Sequence, residues 1–191
     1  MKKGIFIVLS GPSGVGKDTI ADILINKGYG IYSVSMTTRK KRNNEVEGKD
    51  YFFVTSDIFE SNIENNNFLE YAMYNDNYYG TLKSFVFNNI DNGTNVIAIV
   101  DIQGGMNIEK LFPEAVLIFI MPPSFEELER RLRRRGTDSE EAILKRLSIA
   151  KKEMDFSSHY DYVVVNNTVD ECINDIVNII DKEVIKINET H

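Results

Sequence analysis

Four short apolar runs recur along the chain, and each is followed by a segment with helical spacing of apolar residues. The runs cover residues 5–9, 96–100, 115–121 and 162–165. They lack the alternation of apolar and polar residues that marks a strand with one solvated face. Continuous runs of this kind are typical of buried parallel strands. The pattern predicts a doubly wound α/β fold with a central parallel sheet, whose ligands bind at the carboxyl ends of the strands.

The helical segments that follow the four runs have recognisable starts. They are predicted at residues 17–26, 106–111, 124–135 and 172–187. Ser124 with Glu127, and Thr168 with Glu171, have the S/T-x-x-E spacing of a capping box. We therefore expect helices to begin directly after Ser124 and Thr168.

Two segments interrupt the alternation of strand and helix. Residues 34–82 are polar and rich in Asn and aromatic residues, with strand-like pieces at 51–54 and 68–73 and a helical piece at 56–65. Residues 126–146 are heavily charged and contain a Gly turn between two helical patterns. We expect the first to be a small mixed α/β insertion and the second a helical lid. The core domain would then comprise residues 1–33, 83–125 and 147–191.

Composition narrows the class of protein. The net charge of −7 argues against a general nucleic-acid binder, which carries an excess of Lys and Arg. The apolar run at residues 5–9 is shorter than the core of a signal peptide, and no segment is long enough to span a bilayer. The single cysteine, Cys172, is expected in the core of the last helix, in a reducing compartment. These features predict a cytoplasmic protein without a membrane or nucleic-acid partner.

The stretch "GPSGVGKDT", residues 11–19, carries the first candidate chemistry. Its glycines permit a sharp turn in which backbone N–H groups point at phosphate oxygens, and Lys17 adds a positive charge. The alternative is a Gly-rich turn that binds no ligand, but the position between a buried strand and a helix favours a phosphate loop. The pattern departs at Asp18, where a hydroxyl is usual and Thr19 follows. The residues predicted to bind ATP here are Gly11, Pro12, Ser13, Gly14, Val15, Gly16, Lys17, Asp18 and Thr19.

A second candidate site begins with the basic run "TRKKR", residues 38–42. Arg39 and Arg42, followed by Tyr51, suit a phosphate monoester because guanidinium groups bind a phosphate dianion bidentately. On its own, such a run favours a solvated basic turn.

Several motifs, taken in order, resemble the guanylate kinases over almost the whole chain. They are "SVSMTTRKKR", "EGKDYFFV", "FLEYAMYNDNYYGT", "DIQGG", "RLRRRGTDSEEAILKRL" and "YDYVVVNN". The resemblance implies transfer of the γ-phosphoryl group of ATP to GMP, with dGMP as a further acceptor. It makes residues 34–82 the GMP-binding part. The positions that match the family's GMP site are Ser35, Arg39, Arg42, Tyr51, Glu70, Tyr79, Thr81 and Asp101.

The resemblance also implies the donor site and the transfer machinery. Asn166 matches a residue near the adenine or ribose, and Mg²⁺ is implied between the nucleotide phosphates and water. No direct protein ligand of the metal is evident, with Thr19 and Asp101 as possibilities. The catalytic residues implied are Lys17, Arg42, Arg131, Arg135 and Arg146.

The chain departs from the family pattern at four places. Ile99 stands where an acid is usual, "KKRNNE" lacks the usual prolines, "VVVNN" replaces "VVND", and Asp18 occupies the hydroxyl position. Two alternatives stay open beside the kinase: a non-catalytic binding module of the same fold, and a sibling phosphokinase with a ribosyl-bisphosphate acceptor. The binding module would lack the lysine of the phosphate loop, and the related phosphokinase would not need residues that recognise guanine. Oligomeric state does not follow from the sequence.

Overall fold

A five-stranded parallel sheet forms the centre of the computed structural model, which describes residues 2–74, 76–134, 136 and 139–189. Its strands lie in the order β2-β7-β1-β8-β9, and every neighbouring pair is parallel. They are β1 (Phe6–Ser10), β2 (Ile31–Tyr32), β7 (Val96–Ile99), β8 (Val116–Met121) and β9 (Tyr162–Val165). The predicted α/β fold with a central parallel sheet is confirmed. The two-residue strand β2 was not predicted because it is too short to carry a pattern.

Helices cover both faces of this sheet. They are α1 (Lys17–Asn26), α3 (Lys83–Asp91), α4 (Ile102–Leu111), α5 (Phe125–Arg134), α6 (Glu140–Asp155) and α7 (Val169–Glu189). The predicted caps are present: the hydroxyl of Ser124 accepts from Glu127 N at 3.1 Å, and that of Thr168 accepts from Glu171 N at 3.3 Å. Helix α4 begins four residues before the predicted start, because Asp101 caps it by accepting from Gly104 N at 2.8 Å. A 3₁₀ turn, Phe156–His159, follows α6.

A second, four-stranded sheet lies in the segment between β2 and α3. Its order is β4-β3-β6-β5, formed by β3 (Ser35–Thr37), β4 (Tyr51–Phe53), β5 (Phe68–Tyr74) and β6 (Asn77–Leu82). Helix α2 (Ser56–Glu64) covers it, and Phe59 stacks between Phe68 and Tyr78 with ring centroids at 4.5 and 5.0 Å. Strands β3 and β6 were not predicted, since three residues and a run with glycine carry little alternation.

Alternate residues of β1 supply two apolar layers. Ile7 and Leu9 pack with α1, α5, α6 and α7, whereas Phe6 and Val8 pack with α3 and α4. Cys172 is fully buried in the first layer, as predicted. Within the described residues, no helix is both long and apolar enough to cross a membrane. This double layer fixes the carboxyl ends of β1, β7, β8 and β9 along one edge, where the candidate site lies.

Candidate active site

The loop between β1 and α1 has the backbone of a phosphate cradle. Gly11, Gly14 and Gly16 have φ of 138°, 90° and 103°, in the region that glycine adopts at no steric cost. A side chain at Gly11 would also meet Ile120 O at 2.3 Å, which excludes any larger residue. Gly16 is the N-cap residue of α1, so no side-chain oxygen caps this end and its N–H groups face outward as donors to an anion.

Lys17 lies across this loop. Its Nζ donates to Gly11 O at 2.6 Å and to Pro12 O at 3.1 Å. Asp18, the departure from the usual hydroxyl, is exposed in the first turn of α1, where an acid is favoured by the helix dipole. Thr19 is also exposed and lines a neighbouring cavity. The unusual acid is therefore solvent-exposed, and Lys17 keeps its contacts with the loop.

That cavity, of about 640 Å³, opens beside the loop toward α5 and the end of β9. Asn166 lies at its wall, 4% exposed, and donates through Nδ2 to Val15 O at 2.8 Å. This bond fixes the orientation of the amide, and Oδ1 is buried without a hydrogen-bond partner. An unsatisfied buried acceptor is costly, so its orientation favours a ligand that donates a hydrogen bond.

Arg131 lines the same cavity from α5. Its Nε donates to Glu127 Oε1 at 2.8 Å, and its Nη2 donates to Asn166 O at 2.9 Å. Glu127 also binds Arg130, and these two guanidinium groups lower the pKa of Glu127 to about 2. Arg146 is half-buried on α6. Arg135, which was predicted beside these two, lies outside the described residues.

A second cavity, of about 280 Å³, lies where the four-stranded sheet meets the end of β7. It is lined by Ser35, Tyr51, Glu70, Ala72, Tyr79, Ile99, Val100 and Asp101. Five of the eight residues predicted for one acceptor site thus surround one space. They come from β3, β4, β5, β6 and the cap of α4, which are far apart in sequence.

Glu70 is the partly buried acid of this cavity. It pairs with Thr81 across β5 and β6, and Thr81 Oγ1 donates to Glu70 Oε1 at 2.7 Å. Burial raises the pKa of Glu70, opposed by the Thr81 hydrogen bond and reinforced by the charge of Asp101. A carboxylate held in this way is suited to accept hydrogen bonds from a donor-bearing ligand edge.

Gly104 lets Asp101 and Glu70 approach each other. A Cβ at Gly104 would lie 3.3 Å from Asp101 Oδ1 and 3.5 Å from Glu70 Oε2. The absence of a side chain in the first turn of α4 therefore leaves both acids facing the same cavity.

Arg39 lies beside Tyr51, a lining residue of this cavity, with its guanidinium carbon 5.5 Å from the centroid of the Tyr51 ring. Its two terminal nitrogens donate to the carboxylate of Glu45 at 2.6 and 3.1 Å. Tyr79 meets the Tyr51 ring edge-on, with centroids at 5.9 Å. Arg42 is exposed nearby, and its backbone N donates to Glu45 Oε2 at 2.8 Å. The two arginines and two phenols thus lie together beside the cavity, and groups of these types are suited to bind a phosphate.

Comparison with known proteins assigns the chain to one family. Residues 3–183 match the sequence model of the guanylate kinase family. The chain belongs to the guanylate kinase family. It is 47% identical to the guanylate kinase of Caldanaerobacter subterraneus subsp. tengcongensis over 98% of this chain and 91% of that one. It is 48% identical to that of Fusobacterium nucleatum over 96% and 100%.

A solved structure supports the same relationship. The crystal structure of guanylate kinase from Anaplasma phagocytophilum superposes with a TM-score of 0.72 at 36% identity, covering 95% of this chain and 87% of that one. The predicted membership of the guanylate kinase family is confirmed.

Three residues that lie at the candidate site were not predicted from the sequence. Glu45 binds Arg39, Glu127 binds Arg131, and Gly104 lies against the side chains of Glu70 and Asp101. An acid three residues after Arg42 in a basic run was the available signal for Glu45. The sequence pattern predicts Glu127 only as the second residue of a capping box with Ser124. That role explains the acid at this position without a contact to Arg131.

Proposed function

We propose that this guanylate kinase transfers the γ-phosphoryl group of ATP to GMP, giving ADP and GDP, with the smaller cavity as the GMP site. The observation that carries the proposal is the joint lining of that cavity by Ser35, Tyr51, Glu70, Tyr79 and Asp101. The phosphate loop follows β1 and Asp101 follows β7, and these strands are direct neighbours with Leu9 opposite Ile99. Donor and acceptor phosphates would therefore meet at one edge of the sheet.

The base would be recognised by hydrogen-bond donors that adenine lacks. Guanine carries donors at N1 and at its 2-amino group, and the Glu70 carboxylate accepts them. Thr81 holds one oxygen of that carboxylate at 2.7 Å and keeps it oriented. A purine without these donors would leave a partly buried acid without its partners, which penalises AMP.

The phosphate of GMP would bind at the opposite end of this cavity. Arg39, Arg42, Tyr51 and Tyr79 supply two guanidinium groups and two phenols there. Burial raises the pKa of Tyr51, with the charge of Arg39 opposing, so the phenol stays neutral and donates. Recognition of both base and phosphate favours GMP over a ribosyl bisphosphate, which has no purine.

ATP would occupy the larger cavity with its phosphates on the loop of residues 11–19. Asn166 Oδ1, buried and oriented by Val15 O, is suited to accept from the adenine amino group. Lys17 and the N–H groups at the start of α1 would hold the β- and γ-phosphates. Arg131 and Arg146, and Arg135 from the sequence, would stabilise charge that spreads over the transferred group.

Mg²⁺ would enter bound to the phosphates of ATP, as part of the donor substrate. Among the described residues, no group of three or more His, Cys, Asp or Glu is arranged to hold a metal ion. The remaining contacts of Mg²⁺ would run through water, with Thr19 or Asp101 as a possible direct ligand. The metal would neutralise charge on the β- and γ-phosphates.

An oxygen of the GMP phosphate would attack the γ-phosphorus, and the bond to the β-γ bridging oxygen of ATP would break. The attacking oxygen is already anionic, so no general base is required. Closure of a lid formed by residues 126–146 over a core of 1–33, 83–125 and 147–191 would exclude water as a competing acceptor. We place the reaction in the cytoplasm, in keeping with the single, buried Cys172.

A coupled assay of ADP formation tests the proposal. Mg·ATP is supplied with GMP, dGMP, AMP or no acceptor, and Lys17→Met is run beside the wild type. We expect turnover with GMP and dGMP, little with AMP, and none in Lys17→Met. Binding of GMP without turnover in the wild type would contradict the enzyme and favour a binding module.

A further inference from the structure

A buried hydroxyl links the chain beside the phosphate loop to the chain beside the acceptor cavity. Ser10 is the last residue of β1, directly before Gly11, and it is fully buried. Its Oγ donates to Val100 O at 3.0 Å. Val100 directly follows β7 and directly precedes Asp101. This hydrogen bond therefore joins two chain segments whose next residues belong to the donor loop and to the acceptor cavity.

Ser10 interrupts an apolar layer of the core. Phe6 and Val8, the alternate residues of β1 on this face, pack with α3 and α4, and residue 10 is the next position along it. The residue paired with Ser10 on β8 is Phe119, which is also fully buried. A buried hydroxyl in such a layer costs free energy unless it forms a hydrogen bond. The bond to Val100 O meets this requirement, so it explains a polar residue at this position.

The backbone pairing of β1 with β7 ends where this side-chain bond begins. The last paired residues are Leu9 and Ile99, and Val100 N donates to Leu9 O at 3.2 Å. Beyond them the two chains separate, one into the phosphate loop and the other into α4. The side chain of Ser10 thus adds one more connection at the point of separation.

Both segments that leave this point carry groups of the proposed reaction. On the donor side, Lys17 Nζ donates to Gly11 O at 2.6 Å, so the loop lysine is anchored on the residue next to Ser10. On the acceptor side, Asp101 is a lining residue of the smaller cavity. A change in the contact between the two segments would therefore change the distance between the donor and acceptor groups.

We propose that Ser10 is a positioning residue, whose hydrogen bond to Val100 O fixes the distance between the phosphate loop and Asp101 and so aligns the two substrates for transfer. The inference rests on the proposed transfer reaction. Ser10 is buried and acts through the backbone, so neither substrate loses a contact when the hydroxyl is removed. Its loss should reduce the rate of phosphoryl transfer while leaving the affinity for each single substrate nearly unchanged.

Asn95 provides a matched control at the other end of the same two strands. Its Oδ1 accepts from Ile5 N at 3.0 Å, and its Nδ2 donates to Tyr29 O at 2.9 Å. Ile5 directly precedes β1 and Asn95 directly precedes β7, so this side chain joins the two chains at the amino ends of the strands, away from the candidate site. Asn95→Ala removes these two hydrogen bonds, so it should lower the Tm at least as much as Ser10→Ala does.

Single-turnover transfer from Mg·ATP to GMP, with the enzyme in excess over GMP, measures the step that alignment controls. We expect the rate to fall about tenfold in Ser10→Ala, because a misplacement of about 1 Å between reacting groups can cost about 100-fold. Ser10→Thr, which keeps a hydroxyl, should recover most of the rate, and Asn95→Ala should match the wild type despite its lower Tm. An unchanged rate in Ser10→Ala would overturn the proposal. So would an equal fall in Asn95→Ala, or a Ser10→Thr variant with the wild-type Tm that is as slow as Ser10→Ala.

A linked ligand measures the distance between the two sites without turnover. Adenosine and guanosine joined by a pentaphosphate bridge must occupy both cavities at once, so the affinity of this ligand depends on the distance between them. Calorimetry should show a Kd about tenfold higher in Ser10→Ala than in the wild type or Asn95→Ala, with the separate Kd values for ATP and GMP within about twofold. An unchanged Kd for the linked ligand would overturn the positioning role even in an active enzyme. An inactive wild type that shows the expected difference would contradict the proposed function and support the positioning role.

Discussion

Arg39 and Glu45 form a bidentate pair in which each guanidinium nitrogen donates to a different carboxylate oxygen, at 2.6 and 3.1 Å. Their side chains are 16% and 12% exposed. Glu45 also accepts from the backbone N of Arg42 at 2.8 Å. One acid therefore orients the guanidinium group of one proposed phosphate ligand and the backbone of the other.

We predict that Glu45→Ala raises the KM for GMP about tenfold, the effect of losing one charge-assisted hydrogen bond that orients Arg39. The KM for ATP should be unaffected because the donor cavity has separate walls. Steady-state kinetics with each substrate varied in turn measure this. Glu60→Ala, which removes an exposed acid from α2, is the control. A lower KM for GMP in Glu45→Ala would show that Glu45 competes with the phosphate for Arg39.

The variant Glu70→Gln tests whether Glu70 recognises the guanine base of GMP. Replacing one acceptor oxygen by an amide donor opposes the donors of guanine, so kcat/KM for GMP should fall about 100-fold. The ratio of GMP to AMP turnover should fall with it. Thr81→Val, which removes the hydrogen bond to Glu70 and keeps the shape, should give a smaller loss of the same kind. Preserved selectivity in Glu70→Gln would place guanine recognition elsewhere.

The pH dependence of the KM for GMP follows from the same carboxyl. Its pKa is raised above the ordinary value of 4.5 by burial, so the accepting form is lost at a higher pH than for an exposed glutamate. The KM for GMP should rise as the pH falls through this raised pKa, and the rise should be absent in Glu70→Gln. If the KM for GMP still rises at low pH in Glu70→Gln, the rise belongs to another titrating group.

Stability should change in the opposite direction to activity at this residue. Because the pKa of Glu70 is higher in the folded chain than in the unfolded one, its favourable contribution is present below the unfolded pKa and is lost as the pH rises through the folded pKa. At neutral pH, Glu70→Gln should therefore raise the Tm. Thermal unfolding at pH 7 and at pH 4 measures it, and the gain should shrink at the lower pH. A lower Tm at pH 7 would contradict the sign.

Gly14 and Gly28 have similar φ angles but different surroundings, so replacing each by Ala distinguishes the cost of backbone strain from the cost of steric overlap. Gly14 and Gly28 have φ of 90° and 83°, but a Cβ at Gly14 would lie 2.7 Å from Leu132, whereas nothing lies within 4 Å of one at Gly28. We expect Gly28→Ala to lower the free energy of unfolding by about 1 kcal/mol, the cost of a left-handed alanine. Gly14→Ala should lose about 2–4 kcal/mol, since displaced core atoms add to that cost. Equal losses in chemical denaturation would show that Leu132 moves aside freely.

The sequence by itself determined the central sheet and the phosphate loop. Buried strands such as β1 and β8 need continuous apolar runs, and the positive φ angles at Gly11 and Gly16 need glycine. Each feature can therefore be recognised from a short stretch of sequence. Family resemblance then supplied the candidate residues of the second cavity. Short elements such as β2 and β3 escaped because partner strands, and not their own residues, decide that they form.

Only the tertiary structure decided which side chains meet. Glu70 faces Thr81 through the register of β5 and β6, and it faces Asp101 because Gly104 lacks a side chain. Arg39 pairs with Glu45 across a turn that leaves no periodic signal. Periodicity reports which face of an element is buried, whereas a charged pair between elements depends on distances that only packing of the whole core sets.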